Sequence, residues 1–123
     1  MARILVIDDV KEEREVLTEL LKDAPHQVSC APDGKAALEL LRHQPAELVI
    51  TDMIMPGMDG IETIVALRQK YPDVKIIAMS GGGVAGFDKY LHLVRNLGVH
   101  KFVTKPYTAD EMPGAVRDLL GPS

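Results

Sequence analysis

An α/β fold with a doubly wound, five-stranded parallel sheet and five helices is predicted by three observations. Short apolar runs recur at 4–7, 28–31, 48–50, 76–79 and 102–103. Most are apolar on both faces, which marks strands covered on two sides. The segments between them carry apolar residues at helical spacing, and strand–helix alternation of this kind demands right-handed crossovers above and below one sheet.

The first helix carries Val16, Leu17, Leu20 and Leu21 and is stopped by Asp23-Ala24-Pro25, since proline has no N–H to continue the ladder. Ala36, Ala37, Leu40 and Leu41 form a second stripe that ends near Pro45. Ile61, Ile64, Val65 and Leu67 form a third, ended by Tyr71-Pro72-Asp73. A fourth, with Phe87, Leu91 and Val94, closes at Gly98, where glycine supplies a left-handed cap. The fifth carries Val116, Leu119 and Leu120 and stops at Gly121-Pro122. Its start involves a conflict: Thr108 and Glu111 have capping-box spacing, yet that start places Pro113 inside the helix. With Asp110 as the cap, Pro113 falls in the first turn, and this later start is the predicted one.

Composition narrows the function classes. A chain of 123 residues is expected to form one domain, 1–123. Fourteen Lys and Arg against 18 Asp and Glu give a net charge of −4. The attraction to phosphate backbones that nucleic-acid binders use is therefore missing, and direct nucleic-acid binding is not expected. No apolar run nears the ~18 residues that span a bilayer. Met1-Ala2-Arg3 leads straight into a short apolar run without a signal-peptide pattern. A cytoplasmic chain without membrane attachment is expected. The single Cys30 has no internal disulfide partner, and its neighbours predict a half-buried, packed thiol in a reducing compartment.

In an open parallel sheet, ligands bind outside the carboxyl ends of the strands, where strand order reverses. The residues at those ends are Asp8-Asp9, Asp52, Ser80 and Lys105. Singly, each has an ordinary explanation; Asp9, for instance, could cap the helix that follows. Together they form a site. If the first and third strands are neighbours, three carboxylates meet, and each pair at ~4 Å costs on the order of 4 kcal/mol at an effective dielectric of about 20. Bound protons or a cation must offset that repulsion. Oxygen ligands with open positions suit Mg²⁺, which keeps waters and accepts phosphate oxygens, and Lys105 adds a second positive charge. Such a constellation can hold a phosphoryl group, with Asp52 as the nucleophile.

Ile7-Asp8-Asp9, the stretch Thr51-Asp52-Met53-Ile54-Met55-Pro56-Gly57-Met58-Asp59-Gly60, Ser80 and Lys105-Pro106 resemble the signature of the response regulator receiver domain. The resemblance covers essentially the whole chain. It implies a flavodoxin-like sheet of order 2-1-3-4-5 and a bacterial two-component signalling role. Asp52 would take a phosphoryl group from the phosphohistidine of a sensor histidine kinase, or from a phosphotransfer protein. Mg²⁺, with Mn²⁺ as a substitute, would be held directly by Asp9, Asp52 and the backbone carbonyl of Ile54, and by Asp8 mainly through water. Lys105 would pair with one phosphoryl oxygen and Ser80 would swing in to bond another. Phe102 matches the family's switch aromatic. It would rotate into the space Ser80 leaves and change the surface of helix four, strand five and helix five for a downstream protein partner. A homodimer through those elements is compatible with this. A cis Lys105-Pro106 bond is implied too. The class so implied is a signalling domain that would assist its own phosphorylation and dephosphorylation, not an enzyme.

Two rival classes share parts of the pattern. An aspartate-nucleophile phosphohydrolase also needs an acidic cluster, but typically carries Asp-x-Asp after the first strand, whereas Asp8 and Asp9 are adjacent. A receiver fold that binds partners without phosphorylation would not need the full set of Asp8, Asp9, Asp52, Ser80 and Lys105. A stand-alone receiver is expected, the alternative being an N-terminal receiver cut from a longer regulator. Residues 81–86 match G-x-G-x-x-G, but they follow the fourth strand rather than the first and are read as a mobile glycine loop. In the family, the residues two after Asp52 and Ser80 flank the path of an attacking water. Here they are Ile54 and Gly82, whose side chains orient no water, so slow loss of the phosphoryl group is expected. His26, His43, His92 and His100 lack metal-ligand spacing and are expected at the surface or in loops. Met55 is expected in the core, and Met53 and Met58 toward a partner surface.

Overall fold

The computed structural model describes residues 2–22, 26–53, 60–81 and 95–121. The elements are β1 (Arg3–Ile7), α1 (Lys11–Leu21), β2 (Gln27–Ala31), α2 (Gly34–His43), β3 (Leu48–Asp52), α3 (Gly60–Lys70), β4 (Lys75–Gly81), β5 (Lys101–Lys105) and α4 (Glu111–Leu120). All strand pairs are parallel and the order is β2-β1-β3-β4-β5, as expected. Of the five expected helices, four are seen among the described residues. Most of the remaining one, with Phe87, Leu91 and Val94, lies outside them, as do residues 82–86, His92, Met55 and Met58. Arg95 and Asn96 are helical, and Gly98 follows with φ +92°, the expected left-handed cap.

Side chains alternate across the sheet, so each strand feeds two cores. Ile4, Val6, Leu48, Ile50, Ile77, Met79 and Val103 face Leu17 and Leu21 of α1 and Met112, Ala115 and Val116 of α4. Leu5, Ile7, Val49, Ile76 and Ala78 face Ala37 and Leu41 of α2 and Ile64 and Leu67 of α3. Two expectations need correction. Val16 is 51% exposed, because α1 turns the i, i+4 pair Leu17 and Leu21 to the sheet and its neighbour away. Cys30 is exposed rather than packed. It lies on the edge strand β2, and what approaches it from α1 is the small polar Thr18, with Oγ1 and Sγ 3.4 Å apart.

The start of α4 follows from Pro113. The N–H of Gly114 makes the first helical bond, to the carbonyl of Asp110 at 2.9 Å. Pro113 thus sits among first-turn positions whose N–H has no helical partner. The Asp110 side chain makes no cap bond. Instead the Glu111 carboxylate accepts from the Thr108 N–H at 3.3 Å, the return half of a capping box. The described histidines lie at the surface or at element ends: His43 closes α2 and faces Glu39, while His26 precedes β2 and accepts from the Ala2 N–H. Among the described residues, no helix is long and apolar enough to cross a membrane.

Candidate functional site

Strand register brings the acidic residues together. Ile7 pairs with Thr51, so Asp8 comes level with Asp52 at the carboxyl edge of the two central strands. Lys105 ends β5 opposite Gly81. By alternation, Asp8, Asp52 and Lys105 share the face that carries Val6, Ile50 and Val103, beneath α1 and α4. Ser80 and Phe102 share the other face, where Phe102 is paired with Ala78 and packs on the second core. Lys105 reaches back across β4, its Nζ lying 3.0 Å from Asp52 Oδ2, 3.3 Å from Asp8 Oδ2 and 2.5 Å from Glu13 Oε2. The Lys105-Pro106 peptide is cis, as expected.

Glu13 was not singled out from the sequence, where it is one acid in the charged run 11–15. A signal was present: it precedes Leu17 by four residues and Leu21 by eight, on the stripe of α1 that faces the sheet. Single oxygens of Asp8, Glu13 and Asp52 all lie within 4.8 Å of one another. At such a distance each charged pair costs roughly 3 kcal/mol at an effective dielectric of about 20.

The protein answers with a proton and an ammonium. Burial pushes Asp8 up to about 7, helped by its hydrogen bond to Glu13 and by the charge of Asp52, and opposed by the Val10 N–H and Lys105. Burial also works against the charge on Glu13, but hydrogen bonds to Asp8 and Lys105 outweigh it and hold that carboxyl below its ordinary value. Lys105 is likewise penalised by burial, yet Glu13 and Asp52 keep its ammonium charged to well above the usual lysine range.

Asp8 is held firmly. Its Oδ1 accepts from the Val10 N–H at 3.0 Å, and its carbonyl accepts from Arg14 Nη1 at 2.7 Å. The residue before α1 is Val10, which offers no side-chain cap, so Asp9 does not cap the helix. Asp9 is exposed and stands outside the converging carboxylates. Ile54 lies outside the described residues. Ser80 is 2% exposed, and its Oγ has no hydrogen-bond partner among the described residues. Met53 is corrected: it is 1% exposed and belongs to the core, not to a partner surface. Its carbonyl accepts from the Gly60 N–H at 3.3 Å, which ties the end of β3 to the start of α3. The oxygen-only donor set of Asp8, Glu13 and Asp52 fits a hard divalent cation that retains open positions, as Mg²⁺ does.

A doubly wound sheet with acids and a lysine gathered at its switch point defines a class of open α/β proteins whose sites lie where strand order reverses. Within it, residues 4–117 match the model of the response regulator receiver domain, and the chain belongs to that family. It is similar to the signal receiver domain of an HD domain-containing protein from Pseudomonas fluorescens, with 28% identity and a TM-score of 0.88 over 97% of this chain and 94% of that one. It is also similar to the chemotaxis protein CheY4 of Vibrio cholerae, with 25% identity and a TM-score of 0.86 over 97% and 98% of the two chains. NtrX from Brucella abortus is 26% identical with a TM-score of 0.88, but the match spans 97% of this chain and only 27% of that one.

Proposed function

We propose that this receiver domain is a Mg²⁺-dependent phosphoacceptor switch in which Asp52 takes the phosphoryl group. The observation that carries the reading is the Lys105 ammonium 3.0 Å from Asp52 Oδ2 at the carboxyl edge of the sheet. An Asp52 oxygen bonds to phosphorus as the bond from phosphorus to a kinase or phosphotransfer-protein histidine breaks, the ring nitrogen keeping the electron pair. Lys105 offsets charge on one equatorial oxygen, and the Ser80 hydroxyl, which has no partner among the described residues, donates to another. Asp8 and Asp52, with the exposed Asp9 and the Ile54 carbonyl, are the residues that would hold Mg²⁺ or its substitute Mn²⁺. When bound, the ion neutralises charge on the transferred phosphoryl oxygens.

Ser80 and Phe102 lie on one face of the sheet, so movement of Ser80 toward Asp52 vacates space beside Phe102. Rotation of that ring changes the surface around β5, which a downstream protein partner reads as a two-state element.

Incubation with acetyl phosphate and Mg²⁺ should add one phosphoryl group, observed by mass spectrometry, and Asp52→Asn should take none. Steady consumption of the donor without a retained adduct would assign a phosphohydrolase instead. An unchanged mass would assign a receiver that binds partners without phosphorylation.

A further inference from the structure

We infer that Glu13 is a positioning residue that competes with the phosphoryl group for Lys105. Its carboxylate fills, on the ammonium, a place that an oxygen of phosphorylated Asp52 must take. This rests on Asp52 being the acceptor.

A lysine ammonium has three N–H donors. Glu13 at 2.5 Å, Asp52 at 3.0 Å and Asp8 at 3.3 Å use all three. A phosphoryl oxygen therefore gains a donor only when one of these contacts is surrendered. Asp8 cannot readily yield, because its side chain is 0% exposed and is tied to the Val10 N–H. Asp52 carries the group itself. Glu13 can yield: its side chain is 38% exposed and stands in the first turn of α1, where it can swing into water. Its charge also lies among the carboxylates that a phosphoryl dianion would join, so leaving the crevice is favoured once Asp52 is phosphorylated. Glu13 thus occupies Lys105 while Asp52 is unmodified, and phosphorylation includes its release.

The test is the rate of adduct formation with phosphoramidate at saturating Mg²⁺, in wild type and variants of the full chain. Glu13→Gln should form the adduct about five- to tenfold faster than wild type, a coupling of the size found between contacting residues. Glu13→Asp keeps the charge but draws it back by one methylene, and should fall between. In a Lys105→Gln background the Glu13→Gln change should alter the rate by less than about twofold, which a merely structural role would not produce. Mg²⁺ affinity, read from NMR shifts without any phosphodonor, should change little in Glu13→Gln.

An equal or slower rate in Glu13→Gln, or the same acceleration without Lys105, would overturn the inference. So would a weakening of Mg²⁺ binding by about tenfold or more, which would make Glu13 a metal ligand. Adducts forming at equal rates in wild type and variant sink the role of Glu13 alone. No adduct in either overturns the phosphoacceptor reading and this inference with it.

Discussion

Lys105 Nζ stands 3.0 Å from Asp52 Oδ2, with strand β4 lying between their two strands. The contact makes the lysine a counter-ion for a crowded acidic edge before any phosphoryl group arrives. Lys105→Met leaves Asp8, Glu13 and Asp52 without this cation. In EDTA at pH 8 the variant should lose about 3 kcal/mol, since removing one partner of a buried pair leaves uncompensated charge. Mg²⁺ should recover a large part of the loss. Urea unfolding with EDTA and with Mg²⁺ measures both effects, and a variant as stable as wild type in EDTA would contradict them.

Asp8 sets a pH dependence of stability. Burial, then Glu13, raise it from an ordinary 3.8 to about 7 in the folded chain. The folded state therefore binds this proton more tightly than the unfolded chain does. The associated stability is full below about pH 4 and is lost as pH rises through about 7. Asp8→Asn cannot ionise and escapes that loss. In EDTA the variant should match wild type near pH 4 and become progressively more stable than it up to pH 8, by a few kcal/mol. Mg²⁺ should reverse the order at pH 8 by favouring the ionised wild type. Thermal melts across this range decide it, and a gap independent of pH would show that Asp8 is not the group responsible.

Topology explains which parts of this arrangement were legible in the sequence. The strands could be read because residues such as Leu5 and Val6 must satisfy two cores at once, leaving runs apolar on both faces. Asp8, Asp52, Ser80 and Lys105 could be read because a parallel sheet brings strand ends together whatever the sequence between them. Glu13 could not, since its role depends on how α1 is rotated, and that is set by Leu17 and Leu21 packing rather than by the local charge run. Met53 escapes the sequence pattern for a related reason. Its N–H bonds to the Met79 carbonyl at 2.9 Å, so it extends the strand pairing by one residue and turns inward beneath α3. Cys30 lies on an edge strand that the 2-1-3-4-5 order already implies, but its apolar neighbours do not specify that α1 sets the small polar Thr18 against it.

Gly60 is required by close approach. A Cβ there would stand 2.5 Å from Met53 Cα and 2.7 Å from the Met53 carbonyl oxygen, both backbone atoms that cannot swing aside. Gly60→Ala must push the start of α3 away from the end of β3, at a cost of about 3 kcal/mol. Because Met53 follows Asp52 directly, the variant should also be phosphorylated more slowly. Gly114→Ala is the matched control. Among the described residues its Cβ would meet only the Arg117 side chain, at 3.8 Å. Inside α4, replacing glycine should stabilise by about 0.5–1 kcal/mol. Denaturant midpoints moving in opposite directions for the two variants are the expected result, and a neutral Gly60→Ala would contradict the packing argument.

His100 responds to acid at the opposite edge of the sheet. Its backbone N–H donates to the Ile76 carbonyl at 2.9 Å, and its ring Nδ1 accepts from the Ile76 N–H at 3.1 Å. An accepting Nδ1 requires the neutral ring. Burial first, then the charges of Arg68 and Lys75, push its pKa below the ordinary 6.5. Because the folded value is lower than the unfolded one, the associated stability is present above about pH 6.5 and is lost as pH falls through the folded value. The imidazole should therefore titrate below 6.5 in NMR spectra, and the Ile76 amide resonance should move in step with it as the shared hydrogen bond breaks. In His100→Gln, which can accept the same bond without titrating, the Ile76 amide should stay still over that range. An Ile76 resonance unmoved while the wild-type ring titrates would show that Nδ1 is not its acceptor in solution.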